Sequence, residues 1–340
     1  MGNRPFLFAL LHTKRKKYIC IDMKKVAWLK RIVWWLLAAA TSTVNLCLVF
    51  PALLKNDSET QENRPNVLRI WNVDTFEGGK GSRTSFLNRA ATEFEKRTDN
   101  LICIVSSKTL TGLQDGLEKG DVPDLISFGV GAGCVAEYVT DGEPSAWCRG
   151  GYALFSRTDD FSAVTATNCV VSKGGENLSE AAAALNGMTG SVTVENSTTA
   201  YVRFLNGDYQ YLLGTQRDVS RFASRGVSVY CQPVDVYDDL FQYIGVTAKD
   251  ENIQTLGAGF IDYLMSEEKQ KELTGLGMLS TRFSIYDDAQ PALRTMEGIR
   301  VGYTVHPYTS ASVLAEIGEA ARSVFRKENV NILKKFLKSL

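Results

Sequence analysis

The chain of 340 residues contains only two histidines, His12 and His306, so most catalytic and metal sites that depend on histidine are excluded. None of the seven cysteines lies in a C-x-x-C pair, which argues against a zinc ribbon or a dithiol redox motif. The Gly-x-Ser-x-Gly elbow of serine hydrolases is absent, and the glycine-rich segment 78–83 has neither P-loop nor dinucleotide spacing. We therefore expect no enzymatic activity, no metal and no cofactor.

The charge of the chain is zero overall but is divided unevenly along it. The first 65 residues carry eleven Lys and Arg side chains against four Asp and Glu, so the remainder is acidic. Nucleic-acid binders concentrate positive charge on their folded part, and this chain has the opposite distribution. We therefore exclude nucleic acid as a partner. The length suggests about two domains, and the hydrophobic share of 44% is sufficient for a buried core.

An uncharged stretch from Ile32 to Leu54 predicts a membrane-spanning helix. As a helix it would be about 34 Å long, enough to cross a hydrocarbon core of about 30 Å. The basic cluster precedes it, so the positive-inside rule places the N-terminus in the cytoplasm. We predict a basic cytoplasmic tail over 1–25, a signal anchor over 26–54 and a linker over 55–66. The protein would then be a single-pass protein of the cell membrane with an extracellular C-terminal domain.

Alternative fates for this segment remain open at the level of sequence. A signal peptidase could cut after the small residues 38–40, although further apolar residues follow them. A lipoprotein signal needs a small residue before the acylated cysteine, and Leu46 precedes Cys47. The start of translation could be either Met1 or Met23, because the basic run that opens the segment begins at Met23.

Alternation of strand-like and helix-like segments indicates an α/β fold in the rest of the chain. Residues 67–73 alternate as a strand, a helix capped by Ser82 or Thr84 follows, and the order strand–helix–strand continues to residue 128. Such an order is typical of mostly parallel sheets. Further strands are predicted at 152–155, 191–194, 209–213, 227–230 and 241–246, and a docked surface helix at 329–340.

Aromatic and planar polar side chains follow several predicted strands, where open α/β sheets bind their ligands. A sugar needs an apolar ring face to stack on and carboxylate, amide or guanidinium groups to pair with its hydroxyls. The candidate ligand-binding residues are Trp71, Asp74, Phe76, Arg83, Trp147, Gln216, Arg217, Asp218 and Tyr243.

Three features have two interpretations each at this stage. Segment 78–83 is either a plain turn with a helix cap or a loop that lines a ligand cleft. Cys134 and Cys148 could form a disulfide within a loop or remain free thiols. The adjacent acids at 238–239 and 287–288 could serve glycoside hydrolysis, although adjacent acids are usually solvated loop residues.

Residues 66–300 resemble the extracellular solute-binding proteins of ABC transporters, in the family 1 class that is similar to maltose-binding proteins. The segments that carry the resemblance, in chain order, are 68–83, 120–129, 204–218, 241–246 and 259–270. The resemblance implies the type II periplasmic-binding-protein fold, with two lobes joined by a multi-strand hinge and the ligand held between them. The lobes would comprise 67–150 with 245–300, and 151–244 with 301–340.

The function implied by the resemblance is capture of a small solute, most simply a carbohydrate, and its delivery to the permease of an ABC importer by lobe closure. An alternative is a membrane-tethered sensing module that signals to a partner without import. A secreted hydrolase that uses a carboxylate pair is a third alternative.

Overall fold

The computed structural model describes residues 65–140, 142–326 and 329–339. Two five-stranded sheets organise this part of the chain. The strands are β1 Asn66–Val73, β2 Leu101–Lys108, β3 Leu125–Phe128, β4 Ser145–Arg149, β5 Tyr152–Ser156, β6 Cys169–Lys173, β7 Thr193–Asn196, β8 Tyr211–Thr215, β9 Tyr230–Pro233, β10 Tyr237–Asp238, β11 Phe241–Val246 and β12 Tyr303–Thr304.

The helices alternate with the strands in the first part of each sheet and cluster near the C-terminus. They are α1 Arg83–Glu95, α2 Leu110–Glu118, α3 Ser179–Leu185, α4 Ser197–Asn206, α5 Gln216–Ser224, α6 Glu251–Leu264, α7 Glu267–Lys271, α8 Leu273–Leu276, α9 Pro291–Glu297, α10 Ala311–Phe325 and α11 Val330–Ser339. The predicted cap of α1 is confirmed, because the Ser82 side chain accepts from the backbone N–H of Ser85 at 3.3 Å.

The two sheets share one strand order. The first sheet runs β2-β1-β3-β11-β4, and the second runs β7-β6-β8-β5-β9. In each sheet four strands point the same way, and the fourth strand in order, β11 or β5, is antiparallel to its neighbours. The predicted α/β fold with mostly parallel sheets is confirmed. A short parallel pair, β10 with β12, lies outside both sheets.

Helices cover both sheets and bury their central strands. Helices α1 and α6 pack on the first sheet, whereas α3 and α4 pack on the second. All four residues of β3 and all five of β8 are buried, as expected for strands covered on both faces. The edge strand β2 is less covered, because Ile102 and Ile104 are 44% and 50% exposed.

The chain passes between the two sheets three times. It leaves the first sheet at Gly150–Gly151 and returns to it at Leu240. It crosses to the second sheet again between Leu279 and helix α9, and Leu279 forms an isolated β-bridge with Arg149, the last residue of β4. Backbone hydrogen bonds tie the first two crossings together, since Gly150 donates to the carbonyl of Leu240 at 2.6 Å. Such neighbouring crossovers are the local structure from which a hinge can be built.

The strand pairing changes two predicted boundaries. Residues 241–244 were assigned from sequence to the second lobe, but they belong to β11, which pairs with β3 and β4 of the first sheet. Residues 291–297 were assigned to the first lobe, but α9 packs against β9 and α5 beside the second sheet. The crossovers, rather than a change in composition, mark where the sheets divide.

No helix in the described ranges is long and apolar enough to cross a membrane. The predicted tail, signal anchor and most of the linker fall outside those ranges. The described cysteines are all free thiols, so Cys134 and Cys148 do not form the disulfide considered from the sequence. Burial raises the pKa of Cys148 to about 12, which keeps this thiol protonated and unreactive at neutral pH.

Candidate functional site

The carboxyl ends of the two sheets face each other and meet in a contact that we call the seam. The seam consists of residues 74–79, which follow β1, and residues 174–176, which follow β6, together with Ser197 and Arg217. Ser197 opens α4 after β7, and Arg217 lies in the first turn of α5 after β8. Every part of the seam therefore follows the carboxyl end of a parallel strand, the position at which open α/β sheets bind ligands.

Backbone hydrogen bonds hold the two sides of the seam together. The N–H of Glu77 donates to the carbonyl of Gly174 at 3.0 Å, and the N–H of Glu176 donates to the carbonyl of Thr75 at 2.6 Å. Phe76 and Gly175 thus form an antiparallel bridge between the two halves of the molecule. Direct pairing of this kind orients the side chains on either side as neighbouring strands would.

Glu77 carries the charged contact across the seam. Its carboxylate accepts a hydrogen bond from Ser197 at 2.6 Å and forms an ion pair with Arg217. Partial burial acts to raise the pKa of Glu77, but the hydrogen bonds from Arg217 and Ser197 and the charges of Arg217 and Arg221 together lower it below its usual value. The carboxylate is therefore ionised at neutral pH and positioned as an acceptor at the mouth of the seam.

Gly174 and Gly175 allow the two sides of the seam to approach each other closely. A Cβ at position 174 would lie 2.5 Å from Cγ of Glu77, and one at 175 would lie 2.4 Å from the carbonyl oxygen of Thr75. Gly175 also has a φ of +96°, a conformation that favours glycine. A side chain at 175 would push the two halves apart, whereas one at 174 would displace the Glu77 side chain.

An arginine network supports the seam from the side of the first sheet. Nε of Arg83 donates to Oδ1 of Asp74 at 2.8 Å, Nη2 donates to the carbonyl of Phe76, and the guanidinium lies 4.0 Å from the centre of the Phe76 ring. Arg83 is only 2% exposed, and its buried Nη1 has no hydrogen-bond partner among the described residues. Segment 78–83 thus provides the cap of α1 at Ser82, and only its first two residues, 78–79, belong to the seam.

The segments that connect the sheets contain a buried acid pair, Asp238 and Asp239. Asp239 accepts from the Tyr152 hydroxyl at 2.8 Å and from the backbone N–H of Leu178 at 2.6 Å. Asp238 accepts from the backbone N–H of Leu240 at 2.9 Å. Burial raises the pKa of Asp238 to about 7 and that of Asp239 to about 6.

The acid pairs do not form a glycosidase centre in this structure. Asp238 and Asp239 are 1% and 0% exposed and bind the chain's own groups, so a substrate has no access to them. Asp287 and Asp288 are exposed surface residues, and Asp288 pairs with Arg294. The hydrolase alternative therefore loses both of the carboxylate pairs that suggested it.

The structure brings four of the nine predicted ligand residues to the seam: Asp74, Phe76, Arg83 and Arg217. Asp74 and Arg217 are partly exposed there, whereas Phe76 and Arg83 are buried beneath them. Asp74 and Arg217 therefore have side-chain surface that a ligand at the seam can contact, and Phe76 and Arg83 support them from below.

The other five predicted residues lie elsewhere. The Trp71 ring packs against Gly116 of α2 and is 3% exposed, and Trp147 is stacked on Phe86 with its Nε1 donating to Ser127. Gln216 accepts from the N–H of Gly151 at 3.1 Å, beside a crossover. Asp218 caps α5 by accepting from the N–H of Thr215, and Tyr243 packs on Phe128 within the first sheet. Burial explains all five placements, and the proposed site therefore omits them.

Sequence reasoning missed Glu77, Ser197 and the glycine pair 174–175. Glu77 carried a usable signal, because it lies four residues beyond the end of β1 and begins the turn before α1. The pair 174–175 had none, because β6 itself was not predicted. Tyr308, another missed residue, is partly buried and stacks on Phe128 at the carboxyl edge of the first sheet, with ring centroids 5.9 Å apart.

No protein-family model and no curated protein matches the chain. Solved structures match its fold. A sugar-binding protein from Xanthomonas citri is 12% identical, with a TM-score of 0.57 over 81% of this chain and 96% of that one. An ABC substrate-binding protein from Listeria monocytogenes, in complex with cycloalternan, is 12% identical, with a TM-score of 0.53 over 81% and 98%. A structure described as the Atu4243-GABA receptor is also 12% identical, with a TM-score of 0.53 over 78% of this chain and 99% of that one.

These likenesses establish the fold alone, because the identities are low. The chain has the two-sheet α/β fold of ABC substrate-binding proteins, so the resemblance stated from the sequence is confirmed at the level of the fold.

Proposed function

We propose that the protein is an extracytoplasmic solute receptor that captures a carbohydrate between its two lobes and delivers it to an ABC importer. Each lobe is one five-stranded sheet with the helices that pack on it. The main support is the seam: two sheets of identical strand order face each other by their carboxyl ends and are joined by adjacent crossovers. A molecule of this form can separate its lobes, admit a solute and close again.

The side chains at the seam suit a polyhydroxylated ligand. Asp74, Glu77 and Glu176 offer carboxylate oxygens, and Arg217 offers a guanidinium fork. Charged acceptors and donors of this kind form strong hydrogen bonds with hydroxyl groups. Among the partly buried rings at the carboxyl edge of the first sheet, Tyr308 is our candidate for stacking on a sugar face. Similar structures include sugar-binding proteins, which makes a carbohydrate our first choice of ligand.

The remaining parts of the proposal concern cellular placement. We propose that residues 26–54 anchor the chain in the cell membrane and that residues 55–66 tether the receptor outside the cytoplasm. The partners would be the solute and the permease subunits of the importer. An anchored receptor stays close to its permease, which raises its effective concentration there.

A thermal-shift screen of the full chain in detergent tests the proposal. Ligands would be monosaccharides, maltodextrins, a cyclic oligosaccharide and, as a different class, GABA. A ligand at about 100 times its Kd adds about 2.7 kcal/mol to stability, which should raise Tm by about 5 °C. We expect one sugar class to give this shift.

Seam variants show where the ligand binds. We expect Glu77→Gln and Arg217→Gln to change the affinity for that sugar at least threefold, because each removes one partner at the seam. Glu267→Gln is the matched control, since Glu267 forms a surface ion pair with Lys271 at 2.7 Å. The proposal is wrong if no sugar raises Tm, or if all three variants bind the sugar like the unmodified chain.

A further inference from the structure

We propose that the protein has a second ligand site, for a small anion, in a cavity beside the crossovers. This hinge cavity has a volume of about 630 Å³ and is lined by Arg149, Phe241, residues 280–284, Arg294, residues 297–301 and Thr304. Its volume falls within the range of about 300–1,000 Å³ that is usual for small-molecule sites. None of its lining residues belongs to the seam, so this proposal does not depend on the proposed function.

The charge of the cavity wall favours an anion. Four arginines line it, at positions 149, 282, 294 and 300, against a single carboxylate, Glu297. Two of the arginines are already paired, Arg149 with Asp238 and Arg294 with Asp288. Arg282 and Arg300 form no ion pair with any residue in the part of the chain that the structure describes. Two guanidinium groups are therefore available to an incoming ligand.

The one carboxylate in the wall already has partners within the protein. Oε2 of Glu297 accepts from the Ser284 hydroxyl at 3.1 Å and from the backbone N–H groups of Ile285 and Tyr286 at 2.9 and 3.3 Å. These donors partly offset its charge. Glu297 thus fixes the loop that follows Arg282 through Oε2, whereas its buried Oε1 has no hydrogen-bond partner among the described residues.

Backbone donors add to the site. The backbone N–H groups of Arg300 and Val301 have no acceptor among the described residues, and both residues line the cavity. Successive backbone N–H groups without an internal acceptor are donors that a bound anion can use. The Phe241 and Phe283 side chains supply apolar wall for the carbon part of a ligand.

These features point to a ligand with an anionic group that offers at least two oxygen acceptors, a chemistry that carboxylates and phosphates share. An arginine fork matches either group, because its parallel N–H donors can engage two oxygens at once. The walls come from both sides of the crossovers, with Arg149 and Phe241 from the first sheet and Arg294 from α9 beside the second. An anion bound here would therefore contact both halves of the molecule at their junction.

The test uses the full chain with two anionic probes, inorganic phosphate and citrate, in calorimetric titrations at constant ionic strength. Constant ionic strength removes the general screening effect of added salt. The test variant is Arg282→Gln combined with Arg300→Gln, and the matched control is Arg326→Gln, an exposed arginine outside the cavity. We expect saturable binding of at least one probe, at least tenfold weaker in the double variant and unchanged in the control.

Each outcome has a defined meaning. Tighter binding of citrate assigns the site to carboxylates, and tighter binding of phosphate assigns it to phosphates. Binding of neither probe by the unmodified chain overturns the proposal, and so does equal binding by the double variant and the unmodified chain. The sugar response of the double variant separates the two proposals, because a seam site retains it whether or not the anion site exists.

Discussion

Replacing Gly175 by alanine should separate the two halves of the molecule at the seam. The new Cβ would lie 2.4 Å from the carbonyl oxygen of Thr75 and 3.1 Å from Cα of Phe76. Both neighbours are backbone atoms, which cannot rotate away as a flexible side chain could. The bridge between Phe76 and Gly175 must therefore open, and the two backbone hydrogen bonds beside it are lost.

The size of the effect follows from the contacts that are lost. Each backbone hydrogen bond contributes about 1 kcal/mol net. The partly buried ion pair between Glu77 and Arg217 remains open to solvent and adds at most about 1 kcal/mol. Loss of about 2 kcal/mol would shift the ratio of closed to open molecules about 30-fold toward the open form.

Gly187 provides a matched control. Its φ is +89°, close to that of Gly175, but a Cβ there would meet nothing within 4 Å. Alanine at either position carries the same backbone strain, of about 1–2 kcal/mol. The two variants should thus lose similar stability from strain, whereas Gly175→Ala alone should alter the spacing of the lobes.

Small-angle X-ray scattering measures this difference without labels. We expect a larger radius of gyration for Gly175→Ala than for the unmodified chain, and no change for Gly187→Ala. Equal radii for the two variants would refute the reasoning, because the close approach of Gly175 to Thr75 would then not control the spacing of the lobes.

Further predictions concern the core and the crossovers. Trp71→Ala should lower the free energy of unfolding in a urea titration by about 3–5 kcal/mol, because the ring is buried. It should leave the affinity of the folded protein for its sugar within twofold. A lost sugar response with unchanged stability would contradict the placement of Trp71 in the core. Burial raises the pKa of Asp238 to about 7, above the value of about 4 expected in the unfolded chain, so this group favours folding at low pH and loses that contribution as the pH rises from about 4 to about 7. Asp238→Asn should therefore weaken the fall in Tm over that range, and identical pH profiles of the variant and the unmodified chain would count against the buried carboxyl. Trp147→Phe should lower stability by about 1–3 kcal/mol through loss of the bond to Ser127 and of ring contact, whereas an unchanged urea midpoint would disprove the role of that bond.

The fold was predictable where a strand or helix shows its own periodicity. Strand β11 was predicted with the observed bounds, Phe241–Val246, and β1 to within one residue. Strands β4 and β6 of the two sheets were missed, and so was the short pair formed by β10 and β12. The sequences of β4 and β6, SAWCR and CVVSK, each contain only three consecutive apolar residues, fewer than the run of about four to eight that indicates a buried strand.

The candidate site was predictable only in its location. The rule that ligands bind at the carboxyl ends of strands selects Asp74 and Arg217, and the structure places both at the seam. The rule does not say which side chains near the end of a strand are buried under helices or loops. Both Trp71 and its neighbour Asn72 are buried, because helices or loops cover each face of the first sheet, so alternation along β1 could not distinguish a ligand contact from a core residue.

The order of strands in the two sheets has a consequence for biosynthesis. The second sheet is assembled from residues 152–233, a continuous stretch of chain. In the first sheet, β4 pairs only with β11, so it has no hydrogen-bonded neighbour until residue 246 has been made. The half of the molecule that is synthesised first is therefore the last to complete its sheet.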